Sequence, residues 1–467
     1  MRRPLLLLLV CPCLLGLLLQ LWLRSPHHPL VIGVLSARQH RALRDTIRST
    51  WLQALPPARR PLLRFIVGSE ACSVPPEDRE DPYSCRLLNI TSPVLQREIE
   101  AFTGPEPARS SHPQLSVTFR VLHPIVITRL GAWCGGAALN VSARLFQAEQ
   151  EEPLLVARFP PLRPGSPVPA GLCYKPVERF ILPEGFLGTL RWDRHDGGGL
   201  PMWGVHRAAL NDGGGVLRLM AAPEGLLPYD FSQGPEGIAG GFTYTVHEGE
   251  LLLQRLSARP QRQARHRDAL QEEEAELQAE SRAHGDVVFV DVVDTYRNVP
   301  RKLLLFYRWL EATAAFTFLL KTDDDCFIHL DNVLRALEDG RVQGPNAWWG
   351  NFRLNWAVDR TGKWQELEYM SPAYPAFACG SGYVISRDIV QWLAANADRL
   401  KIYQGEDVSM GIWMAAIGPR RYQDDDWLCD KSCDPAMLSA PQFSEQELSE
   451  LWRQKQRCGD PCGCANA

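Results

Sequence analysis

The stretch Phe318-Leu319-Leu320-Lys321-Thr322-Asp323-Asp324-Asp325-Cys326-Phe327 constrains this chain more than any other. An apolar strand runs straight into three adjacent carboxylates. Alternation along a strand sends Asp323 and Asp325 to one side and Asp324 to the other. At the carboxyl end of a buried parallel strand such a pair suits a hard, oxygen-seeking divalent cation, which can bridge the phosphates of a nucleotide. Alone, the triplet reads equally well as an acidic turn capping the next helix. The rest of the chain weighs toward the cation.

Around the triplet the text alternates strand and helix. Asp286 to Asp294 is a near-continuous apolar run, the mark of a strand covered on both faces. Helices are expected from about Pro300 to Thr313 and from Leu330 onward. Arg259 to Arg282, rich in Glu, Gln, Ala and Arg, is a strong helix signal. The same rhythm opens the chain, with a strand at Leu30–Leu35, a helix bearing Arg44, Ile47, Arg48 and Trp51, and a strand at Leu63–Val67. There it stops. From Cys72 to Arg255, two-residue alternation (Leu115–Val121, Leu154–Phe159, Gly241–Val246) lies between Gly- and Pro-rich turns, which reads as an antiparallel β-sandwich. Gly213-Gly214-Gly215 precedes a strand rather than a helix, so it is a hairpin turn and not a phosphate cradle.

The ends speak to compartment. Leu5 to Leu23 is apolar except for Gln20, Pro12 and Gly16, and is flanked by Arg2, Arg3 and Arg24. At about 1.5 Å per residue it matches the roughly 30 Å hydrocarbon core of a bilayer. Leu23-Arg24-Ser25-Pro26 is a poor cleavage site, so a retained anchor is expected rather than a signal peptide. Of the 13 cysteines, two lie in the anchor and eleven follow, an odd number that leaves at least one thiol unpaired, with Cys326 the candidate. Disulfides suit an oxidising lumen better than a zinc site does. Asn89-Ile90-Thr91 and Asn140-Val141-Ser142 make Asn89 and Asn140 candidate glycosylation sites there. A formal charge of −4 and a pI near 6.3 give nothing for nucleic acid to bind. The expected layout is a cytosolic tail at 1–4, anchor at 5–23, first α/β piece at 24–71, inserted β-rich domain at 72–255, main α/β piece at 256–437 and cysteine-rich end at 438–467.

Further polar positions have no reason to exist in a plain core. Asp291, Asp294, Tyr296, Asn298 and Lys302 follow one strand, and Trp348-Trp349-Gly350-Asn351 follows a Gly-Pro turn. Tyr374 to Tyr383 sets aromatics among glycines, where a backbone can approach a ligand closely. Glu406-Asp407 opens a helix, where two acids either favour the helix dipole or supply a general base.

Arg44 to Trp51, Phe65 to Gly68, Asp291 to Lys302, Lys321 to Asp325, Ala373 to Ser386 and Glu406-Asp407-Val408 together resemble the β-1,3-glycosyltransferase family of galactosyltransferases and fringe-like enzymes. The resemblance covers roughly residues 30–70 and 260–430. It implies a GT-A fold, α/β and Rossmann-like, split by the inserted domain, with inversion at the sugar carbon. It implies Mn²⁺ held by Asp323 and Asp325, with Asp407 as base and Glu406 as runner-up. Arg44, Arg48, Asp291, Asp294, Lys302 and Asp324 become candidates for the nucleotide-sugar, although helix ion pairs would equally explain both arginines. Relatives can take a metal ligand from a C-terminal histidine, whereas His329 is the last one here; water and phosphate, or Asp424 to Asp426, would then complete the shell.

The insertion, the stretch Trp348 to Tyr369 and the cysteine-rich end match one branch of the family. That likeness implies UDP-GalNAc as donor and a GlcNAc-terminated acceptor, the O-mannosyl glycan of α-dystroglycan, in the endoplasmic reticulum or Golgi. No motif separates GalNAc from Gal or GlcNAc. A β-1,3-galactosyltransferase, or a silent lectin-like protein binding glycans through its inserted domain, are the other readings. The inserted domain itself is expected to serve the acceptor or to act as a platform.

Overall fold

The structure, a computed structural model, describes residues 27–464 except 96, 135–139, 149, 169–170, 206 and 221–234. The expected anchor at Leu5–Leu23 lies outside the described residues; among those residues no helix is long and apolar enough to cross a membrane. The chain forms two compact units. One comprises residues up to Cys72 with 270–356 and 373–467, the other residues 73–269 with 357–372.

The first unit is built on a seven-stranded mixed sheet. Its strands are β1 (His27–Leu35), β2 (Leu62–Glu70), β3 (Val287–Val293), β4 (Ala315–Asp323), β5 (Ala347–Gly350), β6 (Tyr383–Ser386) and β7 (Arg420–Gln423), in the order β3-β2-β1-β4-β6-β5-β7. The block β3-β2-β1-β4 is parallel; β6 runs antiparallel to β4 and to β5, and β7 pairs parallel with β5. Alternation buries both faces. Leu30, Ile32 and Val34 of β1 enter one core and Val31 and Leu35 the other. Helices α1 (Arg41–Ser49) and α7 (Glu445–Cys458) add Ile47, Leu448 and Trp452 to the first core. Helices α3 (Val299–Thr313), α5 (Arg387–Asn396) and α6 (Glu406–Ile417) close the second with Leu304, Ile389 and Met410. Between these come α2 (Arg259–His284), which belongs to this unit from Leu270 onward, and α4 (Leu330–Glu338). The result is a three-layer α/β domain.

The second unit holds two five-stranded antiparallel sheets around one core. One centres on Ile125–Trp133 and Leu172–Leu182, the other on Gln114–Val121 and Leu187–Arg194. Phe119, Leu130, Trp192 and Phe242 meet between them. The glycine triplet is a turn: Gly213, Gly214 and Gly215 have φ of 65°, 90° and 102°, and a Cβ on Gly214 would lie 2.1 Å from the Ser92 carbonyl oxygen. Residues 357–372, placed by sequence in the main α/β piece, group with this unit instead because Leu367 packs beside Ala148 and Leu187.

Disulfides join Cys134 to Cys173, Cys379 to Cys429, Cys433 to Cys462 and Cys458 to Cys464, and Cys72 and Cys85 are also disulfide-bonded. Cys326 is a free, buried thiol, as the odd count suggested. Asn89 is exposed and Asn140 half-buried at the start of a strand.

Candidate active site

Strand β4 delivers the carboxylates, but it ends at Asp323; Asp324 and Asp325 lie in the following turn. The three side chains are therefore sorted by the turn and its neighbours rather than by strand alternation. The Asp324 N–H donates to the Leu35 carbonyl (3.1 Å), and its carboxylate meets His40 Nδ1 at 2.9 Å. That carboxylate raises the His40 pKa. Asp325 forms no ion pair among the described residues. Burial, then the neighbouring Asp323 and Asp324, push its carboxyl up to about 6. The Cys326 thiol packs 3.5 Å from Asp325 Oδ1, and burial, then the neighbouring carboxylates, raise its pKa.

Asp323 leads into a buried charge cluster. Lys321 is fully buried, and its ammonium reaches Glu406 Oε1 (2.8 Å), Asp323 Oδ1 (2.9 Å) and the Gly380 carbonyl (3.1 Å). Three acceptors match three N–H donors. Burial alone would lower the lysine pKa; the two carboxylates outweigh it and hold it above its usual range. Tyr383, opposite Lys321 in the β4–β6 pairing, donates its hydroxyl to Glu406 Oε1 at 3.2 Å. Glu406 rises to about 7, chiefly through burial and against the pull of Lys321, with the nearby Asp323 and Asp407 carboxylates adding to the rise. Glu406 and Asp407 form the first turn of α6 after Gly405. Asp407 Oδ1 accepts the Val408 N–H at 2.8 Å, no basic side chain pairs with it among the described residues, and burial raises its pKa. A Cβ on Gly380 would lie 3.8 Å from Asp323 Oδ2 and 3.9 Å from both Glu406 Oε2 and Lys321 Nζ. These are ordinary van der Waals distances, so Gly380 lies directly against the cluster.

The remaining sequence candidates do other work. Arg44, with no exposed surface, spends every guanidinium N–H inside the protein: on both Glu280 oxygens (2.8 and 2.7 Å), Ser36 Oγ (2.9 Å), and the Ala37 (2.6 Å) and Arg38 (3.2 Å) carbonyls. Arg48 binds Asp286 through two nitrogens (2.9 and 2.7 Å) and also reaches Asp45 and Glu280. The two arginines take the ion-pair role, with no donor on Arg44 left for a nucleotide. Lys302 is buried between Asp294 (2.5 Å) and the Ser36 carbonyl (2.9 Å), while Asp294 Oδ2 accepts the Gly68 N–H (3.1 Å). This pair ties the ends of β1, β2 and β3 together. Asp291 is exposed on β3. His329 caps α4, and Asp424 is held by Arg341 and Trp349 Nε1, both at 2.9 Å, so neither extends the metal set. Among the described residues no group of three or more His, Cys, Asp or Glu side chains converges into a ready-made metal cage.

Sequence reasoning singled out neither Lys321 nor His40 for a role. Lys321 had a signal: it sits two residues before Asp323 on the same strand face, a cation inside an apolar run. His40 had none, because its partner is 284 residues away.

A galactosyltransferase family model matches residues 268–425, which hold the Asp323–Asp325 turn, Gly380 and Glu406-Asp407. The chain is 59% identical over 98% of its length, and 99% of the relative's, to UDP-GalNAc:β-1,3-N-acetylgalactosaminyltransferase 2 of Xenopus laevis. The chain belongs to the galactosyltransferase family. The human protein of the same name is 57% identical over 98% of this chain and 99% of its own length. Another family member, mouse β-1,3-galactosyltransferase 6, is 33% identical over only 38% of this chain. The family model thus misses most of the β-rich unit, taking in only residues 268–269 and 357–372 of it, whereas the full-length relatives span it.

Proposed function

We propose that this chain is an inverting β-1,3-N-acetylgalactosaminyltransferase of GT-A architecture, moving GalNAc from UDP-GalNAc to a terminal GlcNAc. The donor and linkage follow the full-length relatives. The chemistry rests chiefly on one observation: Lys321 joins Asp323 at the end of β4 to Glu406 against Gly380, with Asp407 next to Glu406 on the first turn of α6. The donor set fits a divalent cation such as Mn²⁺, since Asp325 is crowded by like charge and forms no ion pair among the described residues, and Asp323 keeps one oxygen clear of Lys321. Asp325 and Asp323 would hold the ion, with diphosphate and water completing its shell. When bound, the cation neutralises charge developing on the departing UDP.

The protein's own groups do the rest. Asp407, free of a lysine partner, takes the proton from the acceptor hydroxyl as it attacks opposite the leaving group. Glu406 is committed to Lys321 and Tyr383, which fixes the first turn of α6 and favours Asp407 as base. Lys321 orients Asp323 through their 2.9 Å ion pair. By family likeness the acceptor is the O-mannosyl glycan of α-dystroglycan. The apolar Leu5–Leu23 run and the disulfides support a single-pass type II protein with its catalytic part in the lumen of the endoplasmic reticulum or Golgi.

The test is transfer by the purified full chain from UDP-GalNAc, UDP-Gal and UDP-GlcNAc to a GlcNAc-terminated acceptor, with Mn²⁺ and with EDTA. The reading expects a β-1,3-linked GalNAc product that EDTA abolishes. Preferential use of UDP-Gal would make the chain a galactosyltransferase, and no product with any donor would leave a glycan-binding protein.

A further inference from the structure

Next to the cluster lies a groove of 450 Å³ that the chemistry above does not use. We propose that it is a subsite for the acceptor, taking a pyranose ring on the reducing side of the sugar that is extended. The proposal rests on the reading that the chain glycosylates a glycan.

The walls of the groove include Asn351, Arg353, Leu354, Trp356, Asp425 and Asp430. Leu354 is 65% exposed and Trp356 43%. Large apolar side chains left in solvent side by side in a concave surface call for a partner, since scattered single ones would not form a patch. The tryptophan is also held in place. Arg353 lies over its ring, 4.5 Å from guanidinium carbon to centroid, and reaches Asp430 at 3.5 Å. A braced indole beside charged groups matches a pyranose, whose C–H face is apolar and whose rim is hydroxyl. Asp425 and Asp430 carry acceptors for such hydroxyls, and Arg353 carries donors.

Charge argues against the nucleotide. Two carboxylates face a single guanidinium that is already paired, so the groove has nothing to hold a diphosphate and repels one. Position argues for the acceptor. Phe352-Arg353 pairs antiparallel with Phe377-Ala378, and the Cys379–Cys429 disulfide joins the groove wall to the residue just before Gly380. The groove is therefore built on the same short segment that lies against Asp323 and Glu406 at Gly380. Gln423 braces it by donating to Asn351 and Asp425 at 3.0 and 2.7 Å.

The experiment compares Trp356→Ala, Trp356→Phe and Leu354→Ser with the parent full chain. Measured quantities are KM for a GlcNAc-terminated trisaccharide, KM for GlcNAc as a simple glycoside, KM for UDP-GalNAc, and donor hydrolysis without acceptor. Trp356→Ala should raise the trisaccharide KM about tenfold, the worth of one stacked ring. Donor KM, donor hydrolysis and the simple-glycoside KM should stay put, and Trp356→Phe should restore most of the loss. Leu354→Ser, at a well-exposed position that folding does not need, should shift the trisaccharide KM the same way if the alanine variant misfolds. A raised donor KM would assign the groove to the nucleotide and overturn the proposal, as would an unchanged trisaccharide KM. If the parent transfers no sugar, saturation-transfer NMR with the trisaccharide separates the cases. Contact that Trp356→Phe preserves and Leu354→Ser weakens keeps the groove while the transferase reading falls; no contact removes both.

Discussion

Arg44→Met separates two roles that the sequence left open. The side chain is fully buried and its five N–H groups make five hydrogen bonds, two of them to Glu280, which is equally buried. Methionine fills much of the volume but leaves Glu280 with Arg48 alone and leaves the Ala37 and Arg38 carbonyls without this donor. Breaking a buried pair from one side costs about 3–5 kcal/mol, since the stranded carboxylate stays desolvated. For a unit of this size that corresponds to a fall in Tm of roughly 6–20 °C. Burial pushes Glu280 up, but Arg44 and Arg48 pull its pKa below the ordinary 4.5. The pair's contribution is thus complete above pH 4.5 and is lost as pH falls through the depressed value, so the variant's deficit should shrink in acid.

The assay is thermal unfolding of parent, Arg44→Met, Arg44→Lys and Arg44→Met/Glu280→Gln, alongside UDP-GalNAc KM well below the variant's Tm. Lysine should recover less than half of the loss, because an ammonium cannot copy the planar fork that binds both Glu280 oxygens. Neutralising Glu280 should recover about 1–2 kcal/mol by removing the stranded charge. Donor KM should not move. An unchanged Tm together with a donor KM raised tenfold or more would refute the reasoning and return Arg44 to the nucleotide.

Asp325→Asn should abolish Mn²⁺-dependent transfer and weaken UDP binding measured by calorimetry with Mn²⁺. It should also stabilise the metal-free protein by about 1 kcal/mol, since it removes one of three crowded carboxylates; retained transfer would reduce the triplet to a turn. Asp407→Asn should lower kcat by about 10²–10⁴ with UDP affinity intact. Glu406→Gln should instead lower Tm as well as rate, and a folded but dead Glu406→Gln beside an active Asp407→Asn would exchange their roles. His329, buried at the start of α4, has its pKa lowered to about 4, first by burial and then by Lys455. Its neutral form is favoured in the fold, so stability falls as pH drops from 6.5 toward 4. His329→Asn keeps a cap and should lose about 2 kcal/mol less than the parent between pH 7 and pH 5, read as a smaller drop in Tm.

What the sequence could carry was local. The apolar run into Asp323 forms β4, Val287–Val293 forms β3, and Glu406-Asp407 opens α6, because strand burial and helix starts are written in a few neighbouring residues. The glycine triplet was legible for the same reason: what followed it had strand alternation. What the sequence could not carry were partners. Arg44 and Arg48 looked like cations on a helix, and only the fold brings Glu280 and Asp286 to them from more than 230 residues away. Cysteine count indicated a leftover thiol but not that Cys379 would leave the tail cysteines only one another and Cys429 a partner beside Gly380, since pairing depends on which backbones meet. Local sequence ranked neither Glu406 nor Asp407, and the preference for Asp407 as base came with the family resemblance. Adjacent acids on a helix start are equivalent until Lys321, from a different strand, occupies one of them. That lysine is where local pattern and tertiary structure join: it lies in the strand that ends at Asp323 and reaches across to the helix that opens with Glu406 and Asp407. One buried cation thereby ties the two elements together, because its ammonium lies 2.9 Å from Asp323 on β4 and 2.8 Å from Glu406 on α6.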